Sequence, residues 1–201
     1  MRESSLLSEG ENSVSELLLN PTKTALVLID LQNGIVGRDT KPHAASEVVE
    51  RSARMAEALR AKGGVVVYVR VNLGDFLELP ADEVHGLPKD IPAAASEIAP
   101  TAGMQPGDLL ITKRHWGAFA GTSLESELRT RGIDTVVLAG IATNIGVEST
   151  LRQGTGLGFG FVTVEDACST FSAEMQSFAF SAIFPRLSRV RTTEQVLAAI
   201  G

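Results

Sequence analysis

Apolar residues fall into two kinds of stretch along this chain: short continuous runs that stop on a polar or small residue, and longer segments where they return every three to four positions. Thr24–Asp30 (TALVLID) is a continuous run ending in a carboxylate, the pattern of a parallel strand buried on both faces. Ala44–Lys62 carries Val48, Val49, Ala53, Met55, Ala56 and Leu59 on one helical stripe, and Gly63-Gly64 follows as a carboxyl-terminal cap. The same reading predicts strands at Val65–Val71, Leu109–Thr112, Thr135–Ile141, Phe159–Val164 and Arg189–Arg191. It predicts helices at Thr122–Arg131, Ala173–Ile183 and Glu194–Ile200, with Gly132 closing the first of them. Between Asn72 and Asp108 five prolines interrupt any period, so this stretch reads as a long excursion with a short helix near Ala93–Ile98.

Strands alternating with helices give a parallel sheet covered on both faces, so the expected fold is three-layer α/β/α. Ligands in such sheets bind beyond the carboxyl ends of the strands, where strand order reverses. Three features fall on those ends: Asp30, Lys113 and the turn Thr143–Gly146. A desolvated carboxylate with an ammonium nearby suits proton transfer, although a solvated strand end or a helix cap fits Asp30's position too. Lys113 by itself is equally consistent with a snorkelling lysine.

The chain has 201 residues, enough for one domain with a full core. That domain is placed at residues 21–201, after a polar amino-terminal arm at residues 1–20 that carries Leu6, Leu7, Val14 and Leu17. No apolar run approaches the ~18–20 residues of a membrane span. With one cysteine, Cys168, and no secretory signal, the expected setting is the cytoplasm. Eighteen basic against 24 acidic residues, scattered singly, exclude the footprint of a nucleic-acid binder and leave a small-molecule partner.

Together the motifs Ala25–Gly34 (ALVLIDLQNG), Lys113 with Trp116–Thr122 (WGAFAGT), and Gly132–Asp134 through Gly140–Thr150 (GIATNIGVEST) resemble the isochorismatase-like hydrolases, often called cysteine hydrolases. The resemblance runs from about Lys23 to the carboxyl terminus. It implies a six-stranded parallel sheet of order 3-2-1-4-5-6, a cis Ile141–Ala142 peptide, and a homo-oligomer. It makes Asp30 and Lys113 two members of the family's Asp–Lys–Cys triad, with Gly146 at the third position. The substrate-binding residues it implies are Gln32, Trp116, Phe119, Ile141, Ala142, Thr143 and Asn144.

A glycine at position 146 removes the thiolate that attacks carbonyls in the cysteine-bearing branch. Isochorismate-cleaving members also carry glycine there, and in them the aspartate protonates a vinyl ether to which water adds. Against a plain match to that branch, Ala142-Thr143-Asn144 resembles the amidase branch. Nicotinamidase-like relatives hold a metal through Asp-x-His after the second strand, whereas this chain reads Val69-Arg70-Val71-Asn72, and His43, His85 and His115 lie far apart. No metal or other cofactor is expected. Three readings stay open: acid–base hydrolysis led by Asp30, a catalytically inactive ligand-binding or scaffold member, and an amidase using Cys168. Two geometric expectations follow. Lys113 must lean across roughly 10 Å of sheet to reach Asp30, and the glycines of Gln153–Gly158 should leave the helix after Gly146 short or frayed and loosen the pocket floor.

Overall fold

The computed structural model describes residues 17–83 and 90–201, so most of the expected arm, and His85, lie outside the described residues. Six strands form one parallel sheet in the order β3-β2-β1-β4-β5-β6. They are β1 (Thr24–Ile29), β2 (Val65–Val71), β3 (Leu109–Lys113), β4 (Thr135–Ile141), β5 (Gly160–Ser169) and β6 (Arg189–Arg191). Helices α1 (Asn33–Val36), α2 (Ala45–Ala61), α3 (Leu124–Thr130), α4 (Glu148–Gly156), α5 (Ala173–Phe178) and α6 (Thr193–Ile200) alternate with them.

β1 and β4 are the central pair, and their near-continuous apolar sequences follow from burial on both faces. α2 packs across β1, β2, β4 and β5 beside α6, burying Val48, Val49, Met55, Ala56 and Leu59. Glu47 reaches back to accept a hydrogen bond from the Ala44 N–H at 2.9 Å, and Gly63 at φ 78 closes the far end. Chain order runs outward from β1 to β3, then restarts at β4 and runs the other way, so the β1–β4 boundary is the switch point where a crevice opens.

Two expected boundaries shift. β5 extends to Ser169 instead of stopping at Val164, because the register slips between Leu138 and Gly140 and the strand re-pairs beyond Glu165-Asp166. Those charges end the apolar run without ending the strand. The helix expected over Ala173–Ile183 is α for only its first part and continues as a π turn over Ala179–Ile183.

The expected fraying after Gly146 is also corrected. A π turn over Thr143–Val147 leads without a break into α4. A Cβ on Gly154 would lie 2.3 Å from Phe161 Cζ and 2.8 Å from Phe119 Cε2, so this glycine permits close packing of helix against sheet. α4 also secures the loop opposite: Thr150 Oγ1 accepts from Ala118 N at 3.1 Å, and Gln153 Oε1 accepts from Phe119 N at 3.1 Å.

Candidate active site

At the carboxyl end of β1 the backbone of Asp30 adopts φ 55, a left-handed conformation that aspartate tolerates better than most residues. This turns the carboxylate out of the sheet and into a cavity of about 290 Å³. Lys113 ends β3, with β2 between it and β1, and its side chain crosses that gap. Its Nζ donates to Asp30 Oδ2 at 2.9 Å and to the His115 carbonyl at 3.1 Å. Both partners are buried, Lys113 at 2% and Asp30 at 7% exposure, so solvent barely screens the pair.

Burial pushes the Asp30 carboxyl above its ordinary range, and Lys113, through its charge and hydrogen bond, opposes that push without cancelling it. The other oxygen, Oδ1, is buried with no hydrogen-bond partner among the described residues. A buried acceptor left unmade costs about 1–3 kcal/mol, and a ligand able to meet it would recover that cost.

Gly146 sits in the π turn beyond β4. A Cβ there would lie 3.3 Å from Asp30 Oδ2 and 2.9 Å from Ile29 Cγ2. A side chain at this position would therefore touch the acid–lysine pair. The Ile141–Ala142 peptide before the turn is cis.

Of the expected site residues, Asp30, Lys113, Gly146, Trp116, Ile141 and Ala142 line this one cavity. Four others do not, and each for a traceable reason. Gln32 spends its side-chain amide on the backbone: Oε1 accepts from Val71 N at 2.8 Å, and Nε2 donates to the carbonyls of Val71 at 3.0 Å and Ala95 at 3.2 Å. It ties the end of β2 to the excursion. Phe119 stacks on Phe159 with ring centroids 5.7 Å apart. Thr143 is buried and donates to Gln176 Oε1. Asn144 accepts from Thr170 Oγ1 and turns its amide nitrogen toward Met175.

Sequence reasoning missed the outer wall, which includes Ile35, Arg38, Leu73, Phe76, Ile145 and Phe171. Ile35 comes from α1, Ile145 from the π turn and the others from connecting segments, and two isolated antiparallel bridges, Gln32 with Ile98 and Lys41 with Thr170, tie chain beside them. At the second bridge Lys41 N donates to Thr170 O at 2.7 Å and Thr170 N to Lys41 O at 2.9 Å. Arg38 stands over the Phe171 ring at 4.8 Å. His115 stacks between Phe76 and Trp116, supporting that wall, and Arg114 pairs with Asp75 at the surface.

Cys168 lies within β5 opposite Gly140, fully buried, and burial pushes its thiol far above the ordinary range. It does not line the cavity. The amidase using Cys168 is therefore corrected: a buried, protonated thiol in the sheet is not a nucleophile. Native protein treated with iodoacetamide at pH 8 is expected to stay unmodified by mass spectrometry until denaturant is added, and Cys168→Ala is expected to leave any hydrolytic rate within about twofold. Rapid native alkylation that substrate slows would contradict this placement.

Among the described residues no group of three or more His, Cys, Asp or Glu side chains is placed to hold a metal, and no helix is long and apolar enough to cross a membrane.

A family model of the isochorismatase domain matches residues 24–195. The chain belongs to the isochorismatase family. The uncharacterized isochorismatase family protein YecD of Escherichia coli O157:H7 is 47% identical over 193 residues, covering 92% of this chain and 100% of the relative. An isochorismatase family protein from Burkholderia thailandensis has a structure similar to this one with a TM-score of 0.88 at 43% identity, covering 92% of this chain and 99% of that one. The N-carbamoylsarcosine amidase of Thermoplasma acidophilum is similar at a TM-score of 0.71 and 29% identity, over 86% of this chain and 97% of that one. The isochorismatase family is one of hydrolases, and this chain shares its sheet and its order of strands.

Proposed function

We propose that this isochorismatase-family chain hydrolyses a small molecule by acid–base chemistry without a covalent intermediate, and that the bond cleaved is an enol ether of the isochorismate type. The observation that carries this reading is the buried Asp30–Lys113 pair standing beside a position with no side chain, Gly146. Protonated Asp30 gives its proton to the terminal vinyl carbon, and the positive charge settles on the carbon bearing the ether oxygen. Water adds there and returns a proton to Asp30. The hemiketal then collapses, breaking the carbon–oxygen bond to release pyruvate and an alcohol. Lys113 holds the carboxylate that forms after the transfer. The backbone of Ala142 and Gly146, at the cavity wall, is assigned to the substrate oxygen.

A second reading draws on the similarity to N-carbamoylsarcosine amidase. With no thiol at position 146, Asp30 would activate water directly against an amide, and the product would be ammonia or an amine instead of pyruvate. Assays for pyruvate and ammonia on parallel substrate panels separate the two. Tight binding with neither product would favour an inactive ligand-binding member.

The acid role also fixes a pH dependence. Asp30 acts in its protonated form, and its pKa is raised, so kcat/KM is expected to be level at low pH and to fall about tenfold per unit above that raised value. Asp30→Asn keeps the shape but cannot release a proton, and a loss of at least about 10²-fold is expected. A rate that rises with pH through the same range would instead make Asp30 a base. We further propose a cytoplasmic homo-oligomer, which sedimentation of the purified chain would test.

A further inference from the structure

We propose that Arg38 is the specificity-determining residue of this cavity, selecting small carboxylates whose apolar body lies against Trp116 and Phe76. The proposal rests on reading the Asp30 cavity as a substrate site, and it names the substrate's chemical class.

Three charged side chains border the cavity: Asp30, Lys113 and Arg38. Lys113 donates to Asp30 at 2.9 Å and turns a further hydrogen bond onto the His115 carbonyl. Its ammonium is committed. Arg38 differs on each count. It is exposed at the mouth, and none of the carboxylates among the described residues forms an ion pair with it. Its sequence neighbour Asp39 is taken by Lys41 at 3.1 Å. What positions Arg38 is the ring of Phe171, 4.8 Å from the guanidinium carbon, a contact that orients the group while using none of its N–H donors.

The charge balance strengthens the case. A chain of net charge −6 repels anions at long range, so an anion enters only where a local cation offsets that field within a Debye length of about 8 Å. Among the cavity's residues Lys113 is buried, and Arg38 is the cation exposed to do so. The planar guanidinium matches a carboxylate, which it can hold by two parallel hydrogen bonds. Deeper in, the unpartnered Oδ1 of Asp30 offers a second polar point, and apolar Val71, Leu73, Phe76 and Trp116 lie along the same cavity. The site thus has a cationic mouth, apolar walls and a carboxyl at its floor. A ligand anchored by one carboxylate at Arg38 would lay its body along the walls and present its far end to Asp30.

Benzoate and benzamide share shape and differ in charge, so they isolate the effect of Arg38. Trp116, the chain's one tryptophan, lines the cavity, and its indole N–H resonance reports occupancy. In wild type, benzoate is expected to bind at least about tenfold more tightly than benzamide, the usual scale of a charge-assisted pair. Arg38→Gln should abolish that preference by weakening benzoate alone. Arg38→Lys should retain part of it, and added salt should weaken benzoate in wild type but not in Arg38→Gln. Equal affinity for the two probes in wild type, no shift of the Trp116 signal with benzoate, or unchanged benzoate affinity in Arg38→Gln would each overturn the proposal. The hydrolytic reading fails separately: absence of product with the benzoate preference intact removes the reaction and leaves the selection by Arg38 standing.

Discussion

Lys113→Met is expected to destabilise the fold by about 3–5 kcal/mol near neutral pH, because it leaves a buried carboxylate without its counter-charge. The size of the loss should depend on pH in a definite direction. Asp30 already has a raised pKa in the folded protein, and removing Lys113 deletes what opposes the rise. A carboxyl whose folded pKa exceeds its unfolded value favours folding fully below the unfolded value, 3.8, and loses that contribution as pH climbs toward the folded one. In the variant the folded pKa is higher still, so the loss continues over a wider range of pH. Urea denaturation should therefore show a small penalty near pH 5 and a larger one near pH 8. Adding Asp30→Asn should recover most of the stability while leaving hydrolysis abolished, since it removes the uncompensated charge and asparagine tolerates the left-handed backbone at position 30. A Lys113→Met protein with the same penalty at both pH values would mean that the two side chains are not coupled in the folded state.

Gly140→Ala should be the most damaging methyl among the described glycines. At φ 127 the residue occupies backbone space that favours glycine, and an added Cβ would lie 2.2 Å from the Ile29 carbonyl oxygen and 2.6 Å from the Ile29 nitrogen. Those are backbone atoms of the central strand, one residue before Asp30, and they cannot turn aside as a side chain can. A loss above about 4 kcal/mol is expected, or roughly 8–16 °C in melting temperature for a domain of this size. Gly146→Ala makes the natural control, because its nearest neighbour is a methyl of the Ile29 side chain at 2.9 Å, which has some freedom to move. It should cost about 1–3 kcal/mol. Should Gly140→Ala melt within a few degrees of wild type, β1 and β4 would have to be less closely paired than the structure places them.

These two glycines, six residues apart, look alike in the sequence, and the difference between them marks how far reading from the chain can go. Strands buried on both faces announce themselves as apolar runs, so β1, β2 and β4 were legible almost to the residue. β5 was not, because Glu165 and Asp166 interrupt its pattern at a bulge that depends on its neighbour. Asp30, Lys113 and Gly146 could be singled out because they fall on the carboxyl ends of strands, where parallel sheets gather ligands. Gln32, beside Asp30 in the motif, was misplaced for an equally physical reason: its amide serves the unpaired backbone at the end of β2, a demand visible only once the strands are side by side. The outer wall was illegible altogether. Arg38 and Phe171 are far apart in the chain, and no period links them.

The bridge between Lys41 and Thr170 bears on how substrate choice and reaction are divided. Two backbone hydrogen bonds tie the loop that carries Arg38 to the chain just before Phe171, so the doorway is framed by main chain and its span is set during folding. An arriving ligand need not spend binding energy to assemble it. The frame is also separate from the floor, where Asp30 and Lys113 belong to β1 and β3. Exchanging the residues mounted on the frame could retune what is admitted while the Asp30–Lys113 pair stays as it is, making the two parts of the pocket independent units of change.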